Sequence, residues 1–165
     1  MKKLFLTIFF ITGLFSSQTW SADLIKGILA YQEGDYETAL KEFTPLAEHG
    51  SDKAQYRLGM MWEEGLGTYK HYKSAVDWYA LSAEQGNYFA QNRLSYMYYS
   101  GKGVIEDNVY AHMWANIARS NSSQLSGNKF GDELIKALVK KMTPAQIEKA
   151  QDLARECVKK NYKGC

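Results

Sequence analysis

The chain has 165 residues, 45% of them hydrophobic and 14% aromatic, which is enough for one domain with its own core. Its 20 Lys and Arg stand against 18 Asp and Glu, a formal net charge of +2 that includes Lys2 and Lys3 at the start. A balance this even supplies no basic surface to engage phosphates, which excludes a nucleic-acid partner.

The start reads as a signal peptide over residues 1–21. Lys2 and Lys3 precede an apolar run at 4–15, and small residues follow at 16–21. The run falls short of the roughly 20 residues of a membrane-spanning helix. Cleavage after Ser21 or Ala22 would leave a single exported domain over 22–165, periplasmic or secreted and without stable membrane insertion. Cysteine is absent from the cleavage region, which argues against a lipid anchor.

The first unit spans 23–50. Leu24, Ile25, Ile28 and Leu29 give one helical stripe, Gly34-Asp35-Tyr36 breaks it, and a second runs through Ala39, Leu40, Phe43 and Leu46. Pro45 inside that stripe predicts a kink or local irregularity. Units two and three, 51–86 and 87–122, repeat one another at an offset of 36 residues. The shift carries Ala54 to Ala90, Leu58 to Leu94, Trp62 to Tyr98, Ala75 to Ala111 and Trp78 to Trp114. Gly65 and Gly67 fall on Gly101 and Gly103. Backwards, Gly86, Ala83, Tyr79 and Ala75 fall on Gly50, Ala47, Phe43 and Ala39. A fixed period of this size signals stacked helix pairs. The helices are expected at about 52–64, 72–85, 88–100 and 108–119. Gly59 and Ala75 are small where two antiparallel helices approach, and Ser95 takes the place of Gly59 in unit three.

Residues 119–131 are rich in Ser, Asn and Gly and read as a loop. A cap of two helices is expected over 131–165, covering the apolar flank of the last repeat. Thr143, Pro144 and Gln146 give the second of them a capping box. Cys157 and Cys165 are the only cysteines, and an even number in an exported chain reads as a disulfide. A straight helix would hold them about 12 Å apart, so the chain must fold back, through Asn161 or Gly164. No run alternates like a strand. The fold class is all-α, an α-α solenoid of about three helix pairs plus a C-terminal helical cap.

Ala54-x-x-x-Leu58-Gly59-x-x-Trp62-x-x-Gly65-x-Gly67, followed by Ala75-x-x-Trp78-Tyr79-x-x-Ser82-Ala83-Glu84-x-Gly86, resembles a Sel-one-like repeat, a tetratricopeptide relative with a longer loop inside each pair. Gly34-Asp35-Tyr36-x-x-Ala39-Leu40 looks more like a plain tetratricopeptide unit. The resemblance covers about 23–160 and implies a non-catalytic adaptor or scaffold that binds another protein. It allows a role in envelope assembly or secretion, and also an immunity protein that neutralises a periplasmic effector toxin. In such arrays, positions on the first helix of each pair face a concave groove; here they are Tyr31, Tyr56, Met60, Glu63, Asn92, Tyr96 and Tyr99. Joint replacement of Tyr56, Tyr96 and Tyr99 by Ala is expected to remove partner capture with little change in melting temperature. The alternative is a β-lactam-binding protein or weak β-lactamase, because some exported relatives carry Cys-x7-Cys in every repeat. This chain has that spacing once, at its tail.

Catalytic chemistry finds no foothold. His49, His71 and His112 share no i, i+4 spacing, and each reads as a surface or helix-end residue. Gly65-x-Gly67 and Gly101-x-Gly103 lack the third glycine and preceding strand of a dinucleotide site. Glu63 and Glu64 diverge by about 100° on their helix and form no acid–base dyad. The sequence calls for no metal and no cofactor.

Overall fold

The computed structural model describes residues 12–122 and 129–165, with side chains from Asp23 onward. Residues 1–11 of the expected signal segment and 123–128 of the expected loop lie outside the described residues. The backbone from Thr12 is helical and continuous with the first helix. Eight helices and no strand are present among the described residues: α1 (Thr12–Glu33), α2 (Tyr36–Glu48), α3 (Asp52–Glu64), α4 (Tyr72–Ala83), α5 (Tyr88–Ser100), α6 (Asn108–Asn121), α7 (Lys129–Val139) and α8 (Pro144–Lys159). No described helix is long and apolar enough to cross a membrane.

Each boundary has a local cause. Asp35, Ser51, Asn87 and Asp107 accept backbone N–H groups of the helices they precede. Thr143 and Gln146 form the reciprocal capping box that opens α8. His71, expected on a surface loop, caps α4 by accepting the Ser74 N–H. Gly65 and Gly101 end α3 and α5 in the left-handed conformation. Pro45 does not divide α2, which runs on to Glu48.

Helices pair as α1–α2, α3–α4 and α5–α6; α2 packs on α3, α4 on α5, and both α7 and α8 on α6. Within each pair a small residue faces a larger one. A Cβ added at Gly27 would lie 2.6 Å from the Phe43 ring, and one at Gly59 would lie 2.5 Å from the Tyr79 ring. The expected closeness is therefore that of a glycine to an aromatic ring. In the third pair Ala115 stands where Tyr79 stands in the second, and the vacated space admits Ser95, whose Oγ donates to Ala111 O at 2.6 Å.

A buried amide seam, unforeseen from the sequence, runs across the units. Gln55 Nε2 donates to Ala47 O at 3.0 Å, and Gln91 Nε2 donates to Ala83 O at 3.1 Å. Gln85 donates in turn to Gln55 Oε1, and Asn121 to Gln91 Oε1. Both links thus recur at the 36-residue offset. The first satisfies a carbonyl at the end of one pair with a side chain from the next, where an unpaired buried group would cost about 1–3 kcal/mol, and the second ties that side chain to the end of its own pair.

The seam reaches the tail through the Tyr162 hydroxyl, which donates to Asn121 Oδ1 at 2.9 Å. The tail is folded back by the Cys157–Cys165 disulfide, with Cα atoms 5.5 Å apart. Asn161, Tyr162 and Gly164 make the reversal at positive φ.

His112 corrects an expectation. It is buried in α6 rather than at the surface, and Asn116 Nδ2 donates to its Nδ1 at 2.8 Å. Burial, and after it the Arg119 charge, lower the proton affinity of the ring. The unfolded chain thus binds this proton more readily than the folded one. The contribution is fully present above about pH 6.5 and is lost as pH falls from there through the lowered folded value. The unfolding free energy from urea titrations is expected to fall between about pH 7.5 and about pH 5.5, with a slope of at most about 1.4 kcal/mol per pH unit, and His112→Gln is expected to flatten it. An equal slope in the variant would assign the effect to other groups.

Candidate partner-binding groove

On α3, residues Tyr56, Met60 and Glu63 share one stripe by their spacing of four and three. Gly59, Leu58 and Met61 are turned into the core beside it. Tyr31 holds the matching place on α1, and Asn92, Tyr96 and Tyr99 hold it on α5. The structure separates these seven residues into two groups.

Tyr31, Tyr56, Met60 and Glu63 are half-buried, and of the four only Tyr56 lines an open groove of about 360 Å³ between α1, α3 and the start of α5. Leu24 and Ile28 form its apolar side, and Tyr56, Tyr88 and Phe89 its aromatic side. Phe89 stacks on Tyr56 with centroids 5.7 Å apart, yet keeps half its surface in solvent. Under this wall lies a polar link between two repeats. The Tyr79 hydroxyl donates to Glu63 Oε2 at 2.6 Å, and Arg93 stands 3.7 Å from Glu63 Oε1. Burial, and then the Glu63 carboxylate, hold the Tyr79 hydroxyl far above the ordinary phenol range, so it remains a donor. Glu63 is thereby committed to its neighbours within the fold.

The second group has less open surface. Asn92 is buried. Tyr96 and Tyr99 pack against the cluster of Leu134, Leu138 and Met142 that α7 and its following turn bring over α5 and α6. Tyr96 meets Phe130 edge-on at 6.2 Å, and Lys141 lies 4.6 Å above the Tyr99 ring. The terminal helices therefore cover part of the face that the repeat alone leaves free. Replacing Tyr96 or Tyr99 loosens those helices, so the triple substitution expected to spare the melting temperature disturbs folding as well.

Lys53, Arg57 and Phe89, which line the groove, and Arg93, which faces Glu63, were absent from the sequence reading. The two arginines carry a signal that sequence could have given, since they fall on each other at the 36-residue offset. Among the described residues no group of three or more His, Cys, Asp or Glu is placed to hold a metal ion.

Residues 52–87 and 89–123 each match the Sel1 repeat. The chain carries two Sel1 repeats. They supply α3 to α6, the aromatic wall and the Glu63–Arg93 link. The chain is similar to a protective antigen present in uropathogenic Escherichia coli strains, which displays an SLR fold. The TM-score is 0.77 and the identity 29%, over 87% of this chain and 31% of that one. It is also similar to a Sel1 repeat protein from Oxalobacter formigenes, with a TM-score of 0.65 and 25% identity, over 81% of this chain and 55% of that one. This chain thus spans less than two thirds of either. What the chain shares with them is the all-α solenoid built on these repeats.

Proposed function

We propose that this chain is a non-catalytic, exported binding module that grips a partner protein through the groove between α1, α3 and α5. The observation that carries this reading is the wall of Tyr56, Tyr88 and Phe89. It offers large, half-exposed aromatic surface on a rigid helical frame, where few torsions must be frozen on binding. Export is supported by the Cys157–Cys165 bridge, because such bonds persist in oxidising compartments. An envelope adaptor and an immunity protein that occupies a toxic effector would both use this geometry.

The test is a photoreactive phenylalanine analogue placed either at Tyr56 or at Leu81, which is exposed on α4. After irradiation of living cells, a discrete adduct is expected from the first position and none from the second. Mass spectrometry of the adduct separates adaptor from immunity protein. Adducts at Leu81 alone would remove the groove from consideration. The mature N-terminus, read from the purified protein, is expected at Ala22 or Asp23.

A further inference from the structure

Three cations line the inner side of the second and third helix pairs, and they differ in how they are neutralised. Arg93 faces Glu63 across 3.7 Å and is compensated within the fold. Lys53 and Arg57, one turn apart on α3, make no ion pair among the described residues, although both line the groove. Arg57 lies over the Tyr31 ring, 5.5 Å from its centroid, which holds the guanidinium in place and consumes none of its charge. Asp52 lines the same groove and accepts from the uncharged amide of Asn87 at 2.9 Å, so one carboxylate stands there beside the two cations. The groove therefore pairs an apolar and aromatic wall with an excess of positive charge.

We infer that the occupant is an extended, acidic segment of another protein, in which Asp or Glu alternates with large apolar side chains. Successive side chains of an extended strand point to opposite sides. One set enters between Leu24, Ile28 and Phe89, and the other presents carboxylates to Lys53 and Arg57. A carboxylate brought to a guanidinium held against a ring forms a charge-assisted pair with little side-chain entropy left to lose. This inference rests on the groove reading above and adds to it the chemistry of the partner.

The probes are three fluorescein-labelled peptides with Leu and Phe two residues apart, identical except that the intervening and flanking positions are all Asp, all Ser or all Lys. Anisotropy titration of the purified mature chain is expected to rank Asp above Ser above Lys, with about tenfold between the extremes. Added salt is expected to weaken the Asp peptide most. The double variant Lys53→Glu, Arg57→Glu is expected to reverse the ranking, an outcome that a loss of structure would not produce. Glutamate in the first turn of α3 suits the positive end of the helix, and circular dichroism checks that the variant folds. Phe89→Ala is expected to weaken all three peptides and keep their order. Equal binding of the Asp and Lys peptides, no binding of any peptide, or an unchanged ranking in the double variant overturns the inference. If that happens while the Tyr56 adduct still forms in cells, the groove stands and only its proposed charge preference falls.

Discussion

Replacing Gly103 by Ala is expected to remove about 2–5 kcal/mol of folding stability. Two independent penalties combine. Gly103 has φ of +74°, a conformation that costs an L-residue about 1–2 kcal/mol. The new Cβ would also lie 2.5 Å from the carbonyl carbon and oxygen of Tyr72, and backbone cannot swing aside as a side-chain end can. The second glycine of each loop is thus the point where one repeat presses on the first turn of the previous unit's second helix. Gly67 makes the same contact one repeat earlier, its Cβ position lying 2.7 Å from Tyr36 O. Gly34→Ala separates the two penalties, because Gly34 has φ of +83° and open space around it. Urea denaturation should show Gly34→Ala losing only about 1–2 kcal/mol and Gly103→Ala at least twice that. Equal losses would mean that the loop does not bear on Tyr72. A folded domain has only about 5–15 kcal/mol in hand, so this one methyl group is expected to remove a large fraction of it.

Reduction of the Cys157–Cys165 bridge is the second large effect. It is expected to lower stability by about 2–3 kcal/mol in the chain-entropy account, or about 5–10 °C in melting temperature for a domain of this size. The loss is local in origin. The bridge holds a reversal through Asn161 and Tyr162, and that reversal seats three contacts on the rest of the molecule. These are the Tyr162 hydroxyl on Asn121, Gly164 N–H on Glu84 Oε1 at 3.1 Å, and the Tyr162 ring over Gly86. Comparing oxidised with reduced protein avoids placing a foreign side chain at Cys157, which is buried with Met113 and Ile117. Hydrogen exchange should quicken at 160–165 and in the last turn of α6 while α3 keeps its protection. A melting temperature indifferent to reductant would show that the tail stays docked without its bridge.

The parts of this fold that follow a short-range rule were legible. α3 and α5 begin and end at the residues their caps and glycines indicate, because a cap is a contact across three or four residues and its chemistry is written beside it. α4 ends two residues before the expected limit, since Gly86 closes the following turn rather than the helix itself. The substitution of Ser95 for Gly59 was visible, whereas its companion change, Ala115 for Tyr79, acquired meaning only when the two were found facing each other. The amide seam recurs with the same period as the glycines. Gln55 and Gln91 nevertheless give no sign of it in the sequence, because glutamine carries no hydrophobic signal and its partners lie eight and thirty residues away.

The candidate groove was legible in outline and not in extent. The helical register placed Tyr31, Tyr56, Met60 and Glu63 on one side of the first helices, and of these Tyr56 lines the groove. The same register treated Tyr96 and Tyr99 alike, yet those two are packed beneath the Leu134–Leu138–Met142 cluster.

The amino-acid sequence by itself determined the helices, their pairing and the Sel1 repeat, because periodic burial and capping depend on neighbours at fixed, short separations. Tertiary structure alone decided which stretch of the inner face stays open, which cations lack a counter-charge and where the tail docks. Those outcomes depend on contacts between segments that share no period, such as α7 with α5 and Tyr162 with Asn121, and no local pattern records them.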